Sequence, residues 1–333
     1  MKRDDASVKF LDRPVDGKKA WVRADLREDD WLFRLTPECM VEVRAAAKQL
    51  GPTPPPVDQL DLSRFEMPAC RKLMDAVRKE LDDGVRFAIV DRLPLEEIGN
   101  EAGRAVYWLL STMVARPVEQ KLTGTMIYDV RDTGQKAAAG SGVRPDQTNM
   151  EQYFHNDNSY NTTPPEYVGL LCERPARSGG ISHVISFYTV HNELLRTHPE
   201  VLQRLYQPFW FDRQKEYRSD EPQVICEPMF SYDAHHDGRL RARLGLFQIQ
   251  SGYTLQNEPM DEDAKAAFAA LKEVFAKSEL TFNFTLERGQ LQYANNRELC
   301  HRRTGFEDYE DPAMRRNIVR VWLRNAGERH YQG

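Results

Sequence analysis

Tyr153-Phe154-His155-Asn156-Asp157 places a histidine and an aspartate two residues apart in a short, strand-like stretch. Residues two apart along a β-strand point to the same face, so an imidazole nitrogen and a carboxylate can aim at one point. A second imidazole, from His301, completes two histidines and one carboxylate, the ligand set of non-haem Fe(II) sites with open coordination positions. We therefore predict that His155, Asp157 and His301 bind a metal and are catalytic.

A second motif lies near the C-terminus, where residues 315–324 alternate as a strand. Alternation places Arg316 and Arg320 on one face with Ile318 and Trp322, whereas the other face is aliphatic and suits packing under helices. Unpaired buried charge is costly, and a guanidinium grips a carboxylate through two parallel hydrogen bonds. The arginine face therefore predicts an anion site; the alternative is the exposed face of an edge strand.

Composition and charge limit the function classes. The chain has 333 residues, 41% of them hydrophobic and 29% charged, with a net charge of −5 and no Lys/Arg run of the kind that binds nucleic acid. No apolar run approaches the ~18 residues of a membrane span, and the N-terminus lacks the apolar core of a secretory signal. Five scattered cysteines without a CxxC pair favour reduced thiols. We expect a cytoplasmic protein that acts on a small molecule, with no nucleic-acid or membrane partner.

Hydrophobic periodicity predicts helices near 37–50, 68–82 and 94–115, followed by many short strands, including a hairpin over residues 280–294. This order predicts a mostly β protein with flanking helices (α+β), whose core is a double-sheet barrel. No clean linker divides the chain, so we predict one domain over residues 1–333. Within it we expect an N-terminal extension over 1–58 and a mobile active-site loop over 131–150 that enters the His155 strand.

The order of these motifs is more specific than any single one. His155-x-Asp157, Gly179-Gly180-x-Ser182, His301 and Arg316-x-x-x-Arg320 follow one another along the chain. Together they resemble the taurine dioxygenase/clavaminate synthase-like (TauD/TfdA) family of Fe(II)/2-oxoglutarate-dependent oxygenases, over roughly residues 60 to 325.

The resemblance implies a double-stranded β-helix (jelly-roll) core and iron ligation by His155, Asp157 and His301. It also implies that Arg316 and Ser182 bind the distal carboxylate of 2-oxoglutarate, and that Arg320 contacts cosubstrate or substrate. The neighbouring Arg315 leaves the register of the arginine open by one residue, and the face argument favours Arg316.

The cofactors implied by the resemblance are Fe(II), 2-oxoglutarate as cosubstrate, and O2. In the family, 2-oxoglutarate is oxidatively decarboxylated to succinate and CO2, and hydrogen is removed from an unactivated C–H bond. Halogenating members replace the carboxylate ligand, so Asp157 favours hydroxylation, whereas desaturation and ring formation remain open. The alternatives from other classes are a jelly-roll metalloenzyme that does not use 2-oxoglutarate and a non-catalytic binding module.

The predicted substrate is a small polar metabolite, anionic or zwitterionic. Arg320 can meet a carboxylate or sulfonate. Alternation places Glu151 on the face of His155, where its carboxylate can meet an ammonium group, and Tyr153 can line the same pocket. We therefore expect an amino acid or a related carboxylate or sulfonate.

Overall fold

The computed structural model describes residues 10–135, 145–232 and 237–332. The helices are α1 (Glu28–Trp31), α2 (Pro37–Leu50), α3 (Pro68–Asp83), α4 (Leu95–Ile98), α5 (Asn100–Val114), α6 (Phe187–Thr197), α7 (Pro199–Leu202), α8 (Leu246–Gln256) and α9 (Glu262–Phe275). The strands are β1 (Leu32–Arg34), β2 (Phe87–Asp91), β3 (Arg116–Val118), β4 (Tyr128–Val130), β5 (Gln152–His155), β6 (Tyr167–Arg174), β7 (Ser178–Gly179), β8 (Ser182–Ser186), β9 (Pro208–Asp212), β10 (Val224–Pro228), β11 (Phe230–Tyr232), β12 (Leu240–Ala242), β13 (Phe282–Phe284), β14 (Leu291–Asn295), β15 (Leu299–Arg303), β16 (Phe306–Glu307) and β17 (Asn317–Arg324).

The larger of the two main sheets has the strand order β1-β2-β14-β6-β17-β3, with β4 also paired to β17. Only β1 and β2 are parallel among these pairs; the other neighbours are antiparallel. All eight residues of β17 are buried. One face of β17 packs Val319, Val321 and Leu323 into the core beneath α2, α3 and α5. The predicted aliphatic face of this strand is confirmed.

The smaller sheet is antiparallel and has the order β13-β8-β15-β5. One core cluster joins Phe87 and Ala294 of the larger sheet to Val184 and Leu299 of the smaller sheet, so the sheets face each other. Two facing sheets with helices outside them are the α+β, double-stranded β-helix architecture that the sequence predicts.

The predicted hairpin over residues 280–294 is wrong. β13 pairs with β8 in the smaller sheet, whereas β14 pairs with β2 and β6 in the larger one. The short connection between β13 and β14 therefore carries the chain from one sheet to the other. Within it, Gly289 has a φ of +85° and lies against the backbone of Leu93. A Cβ added to Gly289 would lie 2.3 Å from the carbonyl oxygen of Leu93. Only glycine fits this close approach of two backbones.

The described part of the predicted N-terminal extension packs on the rest of the chain. Trp21 is 2% exposed, and its indole nitrogen donates to the carbonyl of Val85 at 2.8 Å. Residues 136–144, the middle of the expected mobile loop over 131–150, lie outside the described residues. No helix in the described ranges combines the length and apolar character needed to cross a membrane.

Candidate active site

The three predicted metal ligands meet between the two sheets. His155 ends β5 and pairs directly with His301 on β15, and Asp157 follows two residues later. Asp157 Oδ1 lies 3.4 Å from Nε2 of His155 and 3.5 Å from Nε2 of His301. One potential ligand atom from each of the three residues lies within 4.8 Å of the others. Two imidazole nitrogens and one carboxylate oxygen in this arrangement suit Fe(II) with open positions.

The hydrogen bonds of His155 indicate which of its ring nitrogens is unprotonated and can bind a metal. Its Nδ1 lies 2.8 Å from the carbonyl oxygen of Tyr153, which can only accept, so Nδ1 carries the proton. Nε2 therefore presents a lone pair, to which the side-chain amide of Gln152 donates at 2.9 Å. Burial and the neighbouring His155 lower the pKa of His301, which favours its neutral, metal-binding form.

The second oxygen of Asp157 is held by the larger sheet. Oδ2 accepts from the indole Nε1 of Trp322 at 2.8 Å and lies 3.2 Å from Nη1 of Arg320. Burial alone raises the pKa of this carboxyl, but Arg320 and the two histidines hold it well below its usual range. The carboxylate is therefore ionised, with Oδ1 facing both histidines.

A cavity on one side of the triad carries the predicted anion site. Its lining includes Ser182 of β8, Arg316 just before β17, and Arg320. Arg316 is 8% exposed and donates to the carbonyl of Val130 at 3.1 Å, whereas Arg315 is exposed and lies outside this lining. The geometry therefore favours Arg316 over Arg315 as the carboxylate-binding residue.

The same cavity contains a further buried arginine, Arg303, which the sequence did not predict as a site residue. Arg303 is 6% exposed, and both it and Arg316 lie over the ring of Phe306, at 4.7 and 4.9 Å from the ring centroid. Burial lowers the pKa of Arg316 to about 9, with Arg303 as the next cause, and burial lowers the pKa of Arg303 to about 10. Both guanidiniums remain charged at neutral pH and favour an anion in the cavity.

A second cavity adjoins the first at His155 and Asp157, whereas His301 lines only the first; the two also share Asp146, Gln152 and Arg320. Its remaining lining is mostly polar: Asn156, Asn158, Tyr160, Gln214, Gln248 and Trp322, beside the metal ligands. Asp146 is 5% exposed; its Oδ2 lies 3.5 Å from Nη2 of Arg320, and its Oδ1 has no hydrogen-bond partner in the part of the chain that the structure describes. This cavity suits a small polar molecule.

The structure does not bring Glu151 and Tyr153 to these two cavities. Glu151 precedes β5 and pairs with Arg302 at 2.9 Å, and the exposed Tyr153 packs edge-on against Phe275. The prediction for Glu151 and Tyr153 assumed that side chains alternate between the two faces of β5 without interruption. A β-bulge instead gives β5 one residue more than β15 between the paired positions, and Gln152 lines the cavities with His155.

For some of the site residues that were not predicted, the sequence does contain an indication. Trp322 lies on the arginine face of the terminal strand, and Arg303 follows His301 by two residues on one strand, so alternation places each beside a predicted site residue. Asp146 and Gln152 had no such signal, because the first lies in a short 3-10 turn outside the strands and the second is turned inward by the bulge.

Comparison with known proteins gives a family and a fold. The sequence model of the "Taurine catabolism dioxygenase TauD, TfdA family" matches residues 47–322. FR-33289 synthase of Streptomyces rubellomurinus is 26% identical over 328 residues, covering 97% of this chain and 94% of that protein. The taurine hydroxylase-like protein SAT17 of Stachybotrys chartarum is 26% identical over 172 residues, covering 50% of this chain and 41% of that protein.

Two solved structures share the fold at low sequence identity. Asparagine oxygenase in complex with Fe(II), 2S,3S-3-hydroxyasparagine and succinate superposes with a TM-score of 0.66 at 18% identity, covering 88% of this chain and 93% of that one. The non-haem iron oxygenase OrfP in complex with Fe and alpha-ketoglutaric acid gives 0.63 at 16% identity, covering 89% and 94%. The family match spans most of the chain. This chain therefore belongs to the TauD/TfdA family, and the predicted enzyme class, an Fe(II)- and 2-oxoglutarate-dependent dioxygenase, is confirmed.

Proposed function

We propose that the protein hydroxylates an unactivated C–H bond of a small zwitterionic or anionic metabolite, an amino acid or a related carboxylate or sulfonate. The observation that carries the proposal is the pair of cavities that meet at the His155, Asp157 and His301 triad. One is lined by buried arginines and the other by amides, a hydroxyl and a buried carboxylate.

We assign the residue roles from these positions. His155, Asp157 and His301 hold Fe(II), which supplies the O2 chemistry when it is bound. Arg316 and Ser182 hold the distal carboxylate of 2-oxoglutarate in the cationic cavity. Arg320 lies between the two cavities, where it neutralises Asp157 and meets an acidic group of cosubstrate or substrate.

Asp146 takes the role that the sequence analysis gave to Glu151. Within the described residues its Oδ1 is buried at the polar cavity without a hydrogen-bond partner, and a buried carboxylate in this state favours an ammonium group. The solved relatives support an amino acid as substrate, because their complexes contain hydroxylated asparagine and hydroxylated arginine. Five free cysteines, four of them buried, fit the cytoplasmic location expected from the sequence.

The proposal is tested in two steps. Anaerobic Fe(II) titration with 2-oxoglutarate should produce the weak visible charge-transfer band of the chelate. Succinate formation is then measured with a panel of amino acids and related acids, and the product should gain one oxygen atom; a loss of two hydrogens would show desaturation or ring closure instead. Iron binding without the band would overturn the assigned cosubstrate site.

The role of Asp146 has its own test. Asp146→Asn keeps the size of the side chain but removes its charge, so the KM for the amino substrate should rise about 10- to 100-fold. The dissociation constant of 2-oxoglutarate should change much less. Glu151→Gln alters a carboxylate that lines neither cavity and pairs with Arg302; it is the matched control and should leave KM unchanged. Equal KM values for Asp146→Asn and the control would overturn this assignment.

A further inference from the structure

We propose that Arg303 is a second cation of the 2-oxoglutarate site and binds the distal carboxylate together with Arg316 and Ser182. This inference rests on the proposed function of the site. It adds to that function a residue that neither the motif pattern nor the comparisons assign.

The backbone register places Arg303 beside the expected carboxylate. In the antiparallel pair of β15 and β8, Arg303 lies directly opposite Ser182. Side chains directly opposite in such a pair point to the same face, with Cβ atoms about 5 Å apart. Both residues line the cationic cavity, as does Arg316. The three side chains therefore surround one small region of the cavity.

The hydrogen bonding of Arg303 leaves donors for a ligand. Its Nη2 donates to the backbone carbonyls of Thr148 and Met150, but Nε and Nη1 are buried with no hydrogen-bond partner among the described residues. A buried guanidinium with two unused donors is costly unless an anion binds.

The ring of Phe306 adds a second argument. Arg303 and Arg316 both lie within 5 Å of its centroid, so two buried positive charges neighbour the same aromatic ring. Their mutual repulsion contributes to the lowered pKa of Arg316. A carboxylate near both guanidiniums offsets that repulsion. A carboxylate that two arginines bind is also held more tightly than one that a single arginine binds.

The test uses two 2-oxo acids that differ only at the distal end. 2-Oxoglutarate has a carboxylate there, and 2-oxopentanoate has a methyl group, while both chelate Fe(II) through the same carboxylate and keto oxygen. Their dissociation constants are measured anaerobically from the charge-transfer band of the Fe(II)-loaded protein. We compare the wild type with Arg303→Gln, Arg303→Lys and the control Arg315→Gln, which changes an exposed arginine outside the cavity.

Arg303→Gln should weaken 2-oxoglutarate about 10- to 100-fold and leave 2-oxopentanoate unchanged, because only the first has a partner for the guanidinium. Arg303→Lys keeps the charge and should recover part of the loss. Arg315→Gln should match the wild type. If Arg303→Gln does not fold, Arg303→Lys decides the question by a selective, smaller loss for 2-oxoglutarate.

Three results would overturn the inference. Equal weakening of both acids would show that Arg303 only holds the Thr148–Met150 segment in place. Unchanged affinity for 2-oxoglutarate in the Arg303 variants would show that Arg303 does not bind the distal carboxylate. A wild-type protein that binds iron without any band would overturn the proposed cosubstrate site itself, and so is distinguishable from a failure specific to Arg303.

Discussion

The two oxygens of Asp157 face different partners, and this division defines the proposed metal site at the scale of single residues. Oδ1 faces the two imidazoles, whereas Oδ2 faces Trp322 and Arg320 from the larger sheet. Hydrogen bonds to a metal ligand fix its orientation and typically contribute 10- to 100-fold in metal affinity. Trp322 is 1% exposed, so its indole donor cannot be replaced by water without rearrangement.

Trp322→Phe should therefore weaken Fe(II) binding about 10-fold or more, because Oδ2 loses its indole donor and the carboxylate can rotate. The measurement is an anaerobic Fe(II) titration of the metal-free protein. Trp108→Phe removes a similarly buried indole on α5 and controls for the loss of volume. An Fe(II) affinity in Trp322→Phe equal to that of the control would contradict the positioning role.

At the scale of elements, the two strands that build the site show what alternation can predict. On β17 the rule holds: Ile318 and Arg320 line the cavity, and Val319 packs under the helices. On β5 it fails, because the bulge opposite β15 is a property of the strand pair and leaves no local mark in the sequence. The bulge does not separate His155 from Asp157, since both lie beyond it, and these two predicted ligands still lie close together.

The wrongly predicted hairpin over residues 280–294 also reflects a property of strand pairing that local sequence does not show. A short turn between two strand-like runs normally joins neighbours in one sheet, but β13 and β14 lie in different sheets. Which sheet a strand joins depends on partners distant in the sequence, such as Val184 for Phe282 and Val168 for Ala294. Local patterns therefore predicted most strands and the ligand set, but not the connections between the sheets.

Helix α6 is linked to the N-terminal segment by a buried histidine. His191 is fully buried, and its Nε2 lies 2.8 Å from the carbonyl oxygen of Leu11, so Nε2 donates. Burial lowers the pKa of His191 below its ordinary value near 6.5. Below about pH 6.5 the unfolded chain takes up a proton that the folded protein does not, so acidification favours unfolding.

The stability of the metal-free protein should therefore fall as the pH drops from about 7 to 5, with a contribution from His191 of up to about 1.4 kcal/mol per pH unit. His191→Gln retains an amide donor for Leu11 without a titrating ring, and its free energy of unfolding should depend less steeply on pH. Urea unfolding at several pH values measures the slope. His198→Gln, at the end of the same helix, is the control. Identical slopes for His191→Gln and the wild type would contradict the assignment.

At the scale of the whole molecule, the charged cavities occupy the space between two sheets that would otherwise pack directly. The buried arginines and carboxylates there contribute little to stability by themselves. The apolar clusters outside the cavities must therefore hold the sheets together. One of them places Trp21, from the N-terminal segment, against Phe87 of the larger sheet and Val184 and Leu299 of the smaller one.

Trp21 thus closes one end of the space between the sheets, and Trp21→Ala should lower the free energy of unfolding by about 3–5 kcal/mol, the range for removing a buried large aromatic side chain. Equilibrium urea unfolding measures the change. Tyr309→Ala removes an aromatic ring that is 39% exposed and should cost much less. Because Trp21 is not among the residues that line the two triad cavities, the Fe(II) affinity of folded Trp21→Ala should remain that of the wild type. If Trp21→Ala lowered the free energy of unfolding no more than Tyr309→Ala does, the sheets would be held together without the N-terminal segment. That result is expected if residues 1–58 are only an appended extension.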